Sequence, residues 1–220
     1  MFKTPIKHAD QKIDLIKAIL LLFMQEGCFY HIYNRGNNKT LIFFEEKNYM
    51  YFLNKLDKYL SGSVYIYAYC LMPNHFHLLI KVKARMQTSE VFKTSEVLPR
   101  KLSPAEKAFK DFFISYAKSI NKAYNRTGSL FQAKFKKKGI TDDGYFTTII
   151  RYIHANPVKA ELCSKFEDYR YSSYNAILST YNTKIKREEV LNWFGGKEMF
   201  LKMHEARRRE IQETGRNAFL

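Results

Sequence analysis

The sequence predicts an α+β domain of the split βαβ type, ferredoxin-like or RRM-like, with helices packed on a four-stranded antiparallel sheet. Three observations carry this. Between about residues 28 and 157 the hydrophobic pattern runs strand, helix, strand, strand, helix, strand, helix. The second and third strands are joined only by Met72-Pro73-Asn74, which suits an antiparallel hairpin. A chain of 220 residues with 46% hydrophobic content can bury a sizeable core. The expected organisation is an N-terminal helical extension (1–27), a central domain (28–157) and a mostly helical, basic C-terminal extension (158–220).

The elements follow in order. Residues 12–24 look helical but show little clean amphipathicity; they read as an appended helix or as sequence upstream of a start at Met24. Their apolar run, Ala18 to Met24, is too short to span a bilayer, and Gln25-Glu26-Gly27 is a poor signal-cleavage site. Cys28 to Asn34 is a strand by its aromatic and β-branched content, and Arg35-Gly36-Asn37-Asn38 turns the chain. Tyr49, Phe52, Leu53, Leu56 and Leu60 recur at helical spacing over Glu45–Leu60. Ser61-Gly62-Ser63 breaks that helix. Val64–Leu71 and His75–Val82 form the hairpin. Residues 84–102 are a loop in which Thr88-Ser-Glu-Val91 recurs as Thr94-Ser-Glu-Val97, a short duplication rather than a repeat architecture. Ser103-Pro104-Ala105-Glu106 is a helix start, with a capping serine, proline in the first turn and glutamate at the third position. That helix runs to about Tyr124. Ser129–Lys138 is the fourth strand, ended by Gly139. A last helix is capped near Thr141-Asp142-Asp143 and ended by Pro157.

Composition narrows the function. A net charge of +16 and a pI near 9.6 favour a polyanionic partner, nucleic acid before an anionic membrane surface. The 16 Tyr and 18 Phe add rings on which unpaired bases can stack, although most must be core. Cys28, Cys70 and Cys163 lie far apart with no CxxC pair, so no disulfide framework is expected. The expected setting is a reducing, cytoplasmic one with no membrane partner. Residues 98–139 hold eleven Lys/Arg against Glu106 and Asp111, more than half of the net charge. Within them Lys134, Lys136 and Lys138 are expected on one face of the fourth strand.

Two short patterns carry the chemistry. In a strand, His75 and His77 project to the same face while Phe76 goes to the other. Paired imidazoles on a rigid strand suit a divalent metal, although His-x-His alone is weakly specific. On the last helix Tyr152 and Asn156 stand four residues apart and share a face, while His154 points nearly the opposite way. Asn156 precedes Pro157 and so falls at or near the helix end, where its amide oxygen can complete a two-histidine-plus-amide site. Tyr145 is two turns before Tyr152, about 10 Å along the axis.

With Asn74-His75-Phe76-His77 followed by Tyr152-x-x-x-Asn156-Pro157, the chain resembles the HUH single-tyrosine transposases, in particular the insertion-sequence-derived, REP-associated type. Tyr30-His31-Ile32-Tyr33-Asn34-Arg35-Gly36 and the stretch Gly128 to Lys136 also look like that family. The resemblance covers about residues 28–180. It implies a divalent cation, Mg²⁺ or Mn²⁺, held by His75, His77 and Asn156. It implies that Tyr152 attacks a scissile phosphate, leaving a 5′-phosphotyrosine and a 3′-OH through which strands are rejoined. Its substrate would be single-stranded DNA flanked by a hairpin, contacted by the basic region; Arg35, Arg126, Gln132, Lys134, Lys136 and Lys138 are the candidate contacts. The sequence leaves open whether the chain acts alone or as a homodimer. Two alternatives remain: an RRM-like nucleic-acid-binding module without chemistry, and a domesticated DNA-binding protein that keeps the fold but no longer transposes.

Overall fold

A computed structural model of the chain describes residues 23–84, 102–140 and 142–214. Most of the helix expected over 12–24 and nearly all of the duplicated 84–102 stretch lie outside the described residues. Strands β1 (Phe29–Arg35), β2 (Val64–Met72), β3 (His75–Val82) and β4 (Lys136–Ile140) form one antiparallel sheet in the order β2-β3-β1-β4. Helix α1 (Glu46–Leu60) joins β1 to β2, and α2 (Pro104–Ala123) lies between β3 and β4. This is the split βαβ connectivity expected from the pattern, an α+β fold.

The period of two decides which helix each face meets. Tyr30 and Ile32 of β1 and Phe76, Leu78 and Ile80 of β3 are buried against α1 and α2. Phe52, Phe109 and Phe112 on those helices are fully buried. Ser103 and Glu106 cap α2 reciprocally, as the sequence indicates. Glu106 is itself buried and is paired with Lys137 from β4.

The opposite face is covered by α3 (Asp143–Lys159), which packs with the C-terminal helices α4 (Tyr174–Leu178), α5 (Arg187–Phe194) and α6 (Lys197–Thr214) in a second core. The same C-terminal region closes the outer edge of β2. Backbone bonds run from Leu71 N to Tyr171 O, from Ser173 N to Tyr69 O and from Lys186 N to Ile66 O, each 2.9 Å. Inside this core His154 Nδ1 lies 2.9 Å from His204 Nε2 and His154 Nε2 lies 2.8 Å from Ser173 Oγ. His204 Nδ1 donates to Phe200 O, so Nε2 is the atom it offers His154.

Three expectations are corrected. The fourth strand is shorter and later than Ser129–Lys138: its register with β1 runs from Tyr33↔Lys136 to Phe29↔Ile140. Before it the chain meets the end of β1 through Gln132 N to Arg35 O and Asn34 Nδ2 to Gln132 O, and just beyond the strand through an isolated bridge between Gly36 and Phe131. Leu130 and Phe131 are both buried although they lie outside the strand. Gly139 therefore lies within the strand, opposite Tyr30. As a result Lys134 falls outside β4, and only Lys136 and Lys138 share a strand face. Finally, Pro157 does not end α3, which continues to Lys159. The carbonyl that a proline leaves without its helical donor is that of Ile153. Asn156 Nδ2 donates to it at 3.3 Å and to Tyr152 O at 2.9 Å, so the residue before the proline mends the helix.

Candidate active site

Pairing of β1 with β3 sets Tyr33 opposite His77 and Arg35 opposite His75. Strand alternation then brings His31, Tyr33 and Arg35 to the same face as both β3 histidines. α3 crosses this face and presents Tyr152 and Asn156, one turn apart. The result is a cleft of about 380 Å³ lined by Tyr33, Asn34, Arg35, His75, Phe76, His77, Gln132, Lys136, Tyr152 and Asn156. His75, His77, Tyr152 and Asn156, expected together from two distant stretches, line one cleft of a single chain. The Tyr152 ring stands edge-on to His77 at 5.5 Å and to His31 at 5.9 Å.

The backbone around the histidines is held from the β1 side. Gly36 N donates to Asn74 O, and Ile42 N and Phe43 N both reach Pro73 O. Gly36 approaches the Thr40 carbonyl so closely that any Cβ there would overlap it. Asn74 Nδ2 donates to Lys39 O at 3.1 Å, which turns Oδ1 to His75 Nδ1 at 2.7 Å. An amide oxygen only accepts, so the His75 proton is on Nδ1 and Nε2 carries the lone pair. His77 Nδ1 lies 2.9 Å from His31 Nε2.

The electrostatics keep the imidazoles neutral. Burial, then the Arg35 charge, lowers the His75 pKa to about 4. His77 is held well below its ordinary value by burial first, with His31, His75 and Arg35 adding. His31 is lowered to about 4 by burial and then by Lys138. Neutral imidazole is the form that ligates a cation. Tyr152 moves the other way: burial raises its pKa, with Tyr33 and Tyr145 adding. Among the described residues no three or more His, Cys, Asp and Glu side chains are grouped to hold a metal ion. The donor set at hand is therefore two imidazoles and one amide. It fits a divalent cation: both histidines are neutral, and the Asn156 NH₂ is committed to helix carbonyls, which leaves Oδ1 as the amide's ligating atom.

The other expected residues divide. Arg35, Gln132 and Lys136 line the cleft, and Arg35 Nε is buried without a hydrogen-bond partner among the described residues. Lys138 sits at the cleft's side of β4 but donates to Tyr145 Oη at 2.8 Å. Lys134 lines instead a larger, mostly apolar cavity of about 730 Å³ beside α2, whose walls include Phe113, Ile114, Leu130 and Phe135. No histidine lines it; the paired imidazoles line the smaller cleft. Arg126 packs over the Phe44 ring at 5.5 Å and does not line the cleft. Three residues were missed by sequence reasoning. His31 and Tyr33 stand in the period-two row that ends at Arg35, and pairing of the first strand with the third would have exposed them. Lys159, whose Nζ is 5.7 Å from the Tyr152 ring centre, lies beyond the proline taken as the helix end.

Comparison with known proteins bears on this geometry. The family model described as "Transposase IS200 like" matches residues 24–156, more than half of the chain. A search of curated proteins finds no match. Among solved structures, a REP-associated tyrosine transposase bound to a REP hairpin is similar at a TM-score of 0.53 and 14% identity, covering 73% of this chain and 85% of that one. At that identity the likeness is one of fold. A bacterial tRNA(His) guanylyltransferase-like protein is found with GTP, at a TM-score of 0.37, 7% identity and coverage of 68% and 74%. It is also found with ATP, at 0.38, 8%, 84% and 77%. Scores this low carry no weight.

Proposed function

This chain belongs to the IS200-like transposase family, and from that premise we propose that it cleaves and rejoins single-stranded DNA through a 5′-phosphotyrosine on Tyr152, at a site located by hairpin DNA. The observation that carries this reading is the cleft in which Tyr152 and Asn156 from α3 meet His75 and His77 from β3.

The residues divide the work as follows. Tyr152 Oη attacks the scissile phosphorus; the P–O bond to tyrosine forms as the P–O3′ bond breaks. The phenolic proton is lost to solvent and the 3′ oxygen leaves to become a 3′-OH. A second 3′-OH reverses the step, because the phosphotyrosine ester retains the energy of the original bond. His75, His77 and Asn156 would hold a divalent cation, Mg²⁺ or Mn²⁺. That cation would polarise the phosphate and favour the phenolate, which burial otherwise opposes. Arg35 and Lys136 add positive charge at the cleft wall where the phosphate must lie. Phosphate contacts fix the strand's register, and hairpin recognition falls to the basic surface beyond the cleft.

An RRM-like binder would need rings of the central strands open to bases. That sheet face is occupied by α3, and His31 and His77 are buried beneath it. The test of the catalytic reading uses hairpin-flanked single-stranded DNA from beside the gene. His75→Ala and His77→Ala should abolish Mn²⁺-dependent cleavage and leave hairpin binding largely intact. Cleavage at the wild-type rate by either variant, in the presence of chelator, would reject the cation site.

A further inference from the structure

His75 and His77 reach the cleft with unequal support. The tautomer of His75 is set by Asn74, whose amide is itself oriented by Lys39 O. His77 has a second imidazole as its partner, and the 2.9 Å contact between His77 Nδ1 and His31 Nε2 admits two arrangements. In one, His31 donates from Nε2 and the proton of neutral His77 sits on Nε2, which then cannot ligate. In the other, His77 donates from Nδ1 and its Nε2 carries the lone pair. Only the second matches His75 and serves a shared cation.

We propose that His31 is the positioning residue of this site: it accepts the proton of His77 Nδ1 and thereby holds His77 Nε2 as a ligand. The inference rests on the cation site argued above. Its geometry is independently well defined. His31 is 5% exposed, too buried for water to replace it readily as the acceptor. It stacks on Tyr33 at 4.9 Å and meets the Tyr152 ring edge-on at 5.9 Å, so its own orientation is fixed from two sides. His31 thus touches both a candidate ligand and the candidate nucleophile without facing the phosphate: it is absent from the residues lining the cleft. A partner that orients a ligating histidine typically affects metal affinity roughly 10–100-fold.

Two variants of the full chain separate this role from packing. His31→Phe keeps a flat ring against Tyr33 and Tyr152 but cannot accept a proton. His31→Gln keeps an acceptor in a different shape. In Mn²⁺ titrations followed by electron paramagnetic resonance, His31→Phe should bind roughly 10–100-fold more weakly than wild type. His31→Gln should recover much of that loss. Wild-type affinity in His31→Phe, or His31→Gln as weak as His31→Phe, would overturn the proposal. A wild-type chain that binds no Mn²⁺ would instead reject the cation site itself, and the proposal with it. Should His31→Phe not fold, nitrogen-15 NMR of wild-type His77 with Mg²⁺ decides. A proton on Nδ1 is the expected result, and a proton on Nε2 overturns it.

Discussion

Asn156 has two tasks, and they pull on different atoms. Its NH₂ group replaces the helical donor that Pro157 lacks, while its oxygen is the proposed third ligand. Asn156→Ala removes both. The expected loss of stability is about 1 kcal/mol, that of one hydrogen bond, read from thermal or denaturant unfolding. Cleavage should fall less than in the histidine variants, because two ligands remain. Asn156→Asp keeps an oxygen but not the donor, so it should show the stability loss while holding a cation at least as well as Asn156→Ala. The histidines supply a pH prediction. With the His75 pKa lowered to about 4 and that of His77 held well below its ordinary value, protons do not compete for these nitrogens near neutrality. Mn²⁺ affinity should therefore change little from neutral pH down to about 5 and drop as pH approaches 4. An affinity that already falls near pH 6.5, the ordinary histidine value, would show that these imidazoles are not buried as described.

The two strands carrying the site were readable because each is a short run rich in aromatic, β-branched or other apolar residues, bounded by turn or loop residues. The hairpin partner of His75–Val82 followed from Met72-Pro73-Asn74. β4 was harder. Its true span, Lys-Lys-Lys-Gly-Ile, has almost no apolar alternation, and the apolar stretch before it, Leu130-Phe131, is buried loop. Its register is dictated by β1, a long-range partner that local pattern cannot reveal. The corrected register changes the prediction for DNA binding. Lys136 and Lys138 share a strand face on the cleft's side of the sheet, so each is placed to neutralise a phosphate of a bound strand. Each phosphate neutralised on a single strand contributes a salt slope of about −0.7. The double variant Lys136→Ala/Lys138→Ala should flatten the dependence of binding on salt by about 1.4 units. Lys134→Ala, outside the strand and beside the apolar cavity, should add little to that change. An unchanged slope in the double variant would return both lysines to the role of solvated surface.

What joins these elements is a second core built largely from the C-terminal region, and little of it could be read in advance. The contact of His154 with His204 spans 50 residues and has no local signature. The sequence did show that His154 points away from Tyr152. It could not show that a histidine there ties α3 to α6 and, through Ser173, to the edge of β2. Both rings are kept neutral by burial: His204 is lowered to about 3 and His154 well below its ordinary value. In the unfolded chain they would charge below about pH 6.5. The unfolded state then binds more protons than the folded one, so stability is full above that pH and is lost as pH falls toward 3. Each such histidine adds up to about 1.4 kcal/mol per pH unit to the slope. His204→Phe should lower stability at neutral pH and make the acid slope shallower, as measured by unfolding at a series of pH values. An acid slope as steep as wild type would show that the pair does not set it. Among the described residues no helix is long and apolar enough to cross a membrane, and the basic charge remains the feature that selects a polyanionic partner.

The covalent adduct tests the catalytic reading most directly. Wild-type chain incubated with labelled hairpin-flanked single-stranded DNA and Mn²⁺ should acquire a nucleotide on the peptide containing Tyr152-Ile153-His154. Tyr152→Phe removes one oxygen from a half-buried ring and keeps its packing against His31 and His77, so folding, cation binding and hairpin binding should persist while the adduct disappears. Hairpin binding with no adduct in wild type would contradict the proposal and favour a domesticated DNA-binding protein. An adduct that survives in Tyr152→Phe, or that maps to Tyr145, would contradict the choice of nucleophile.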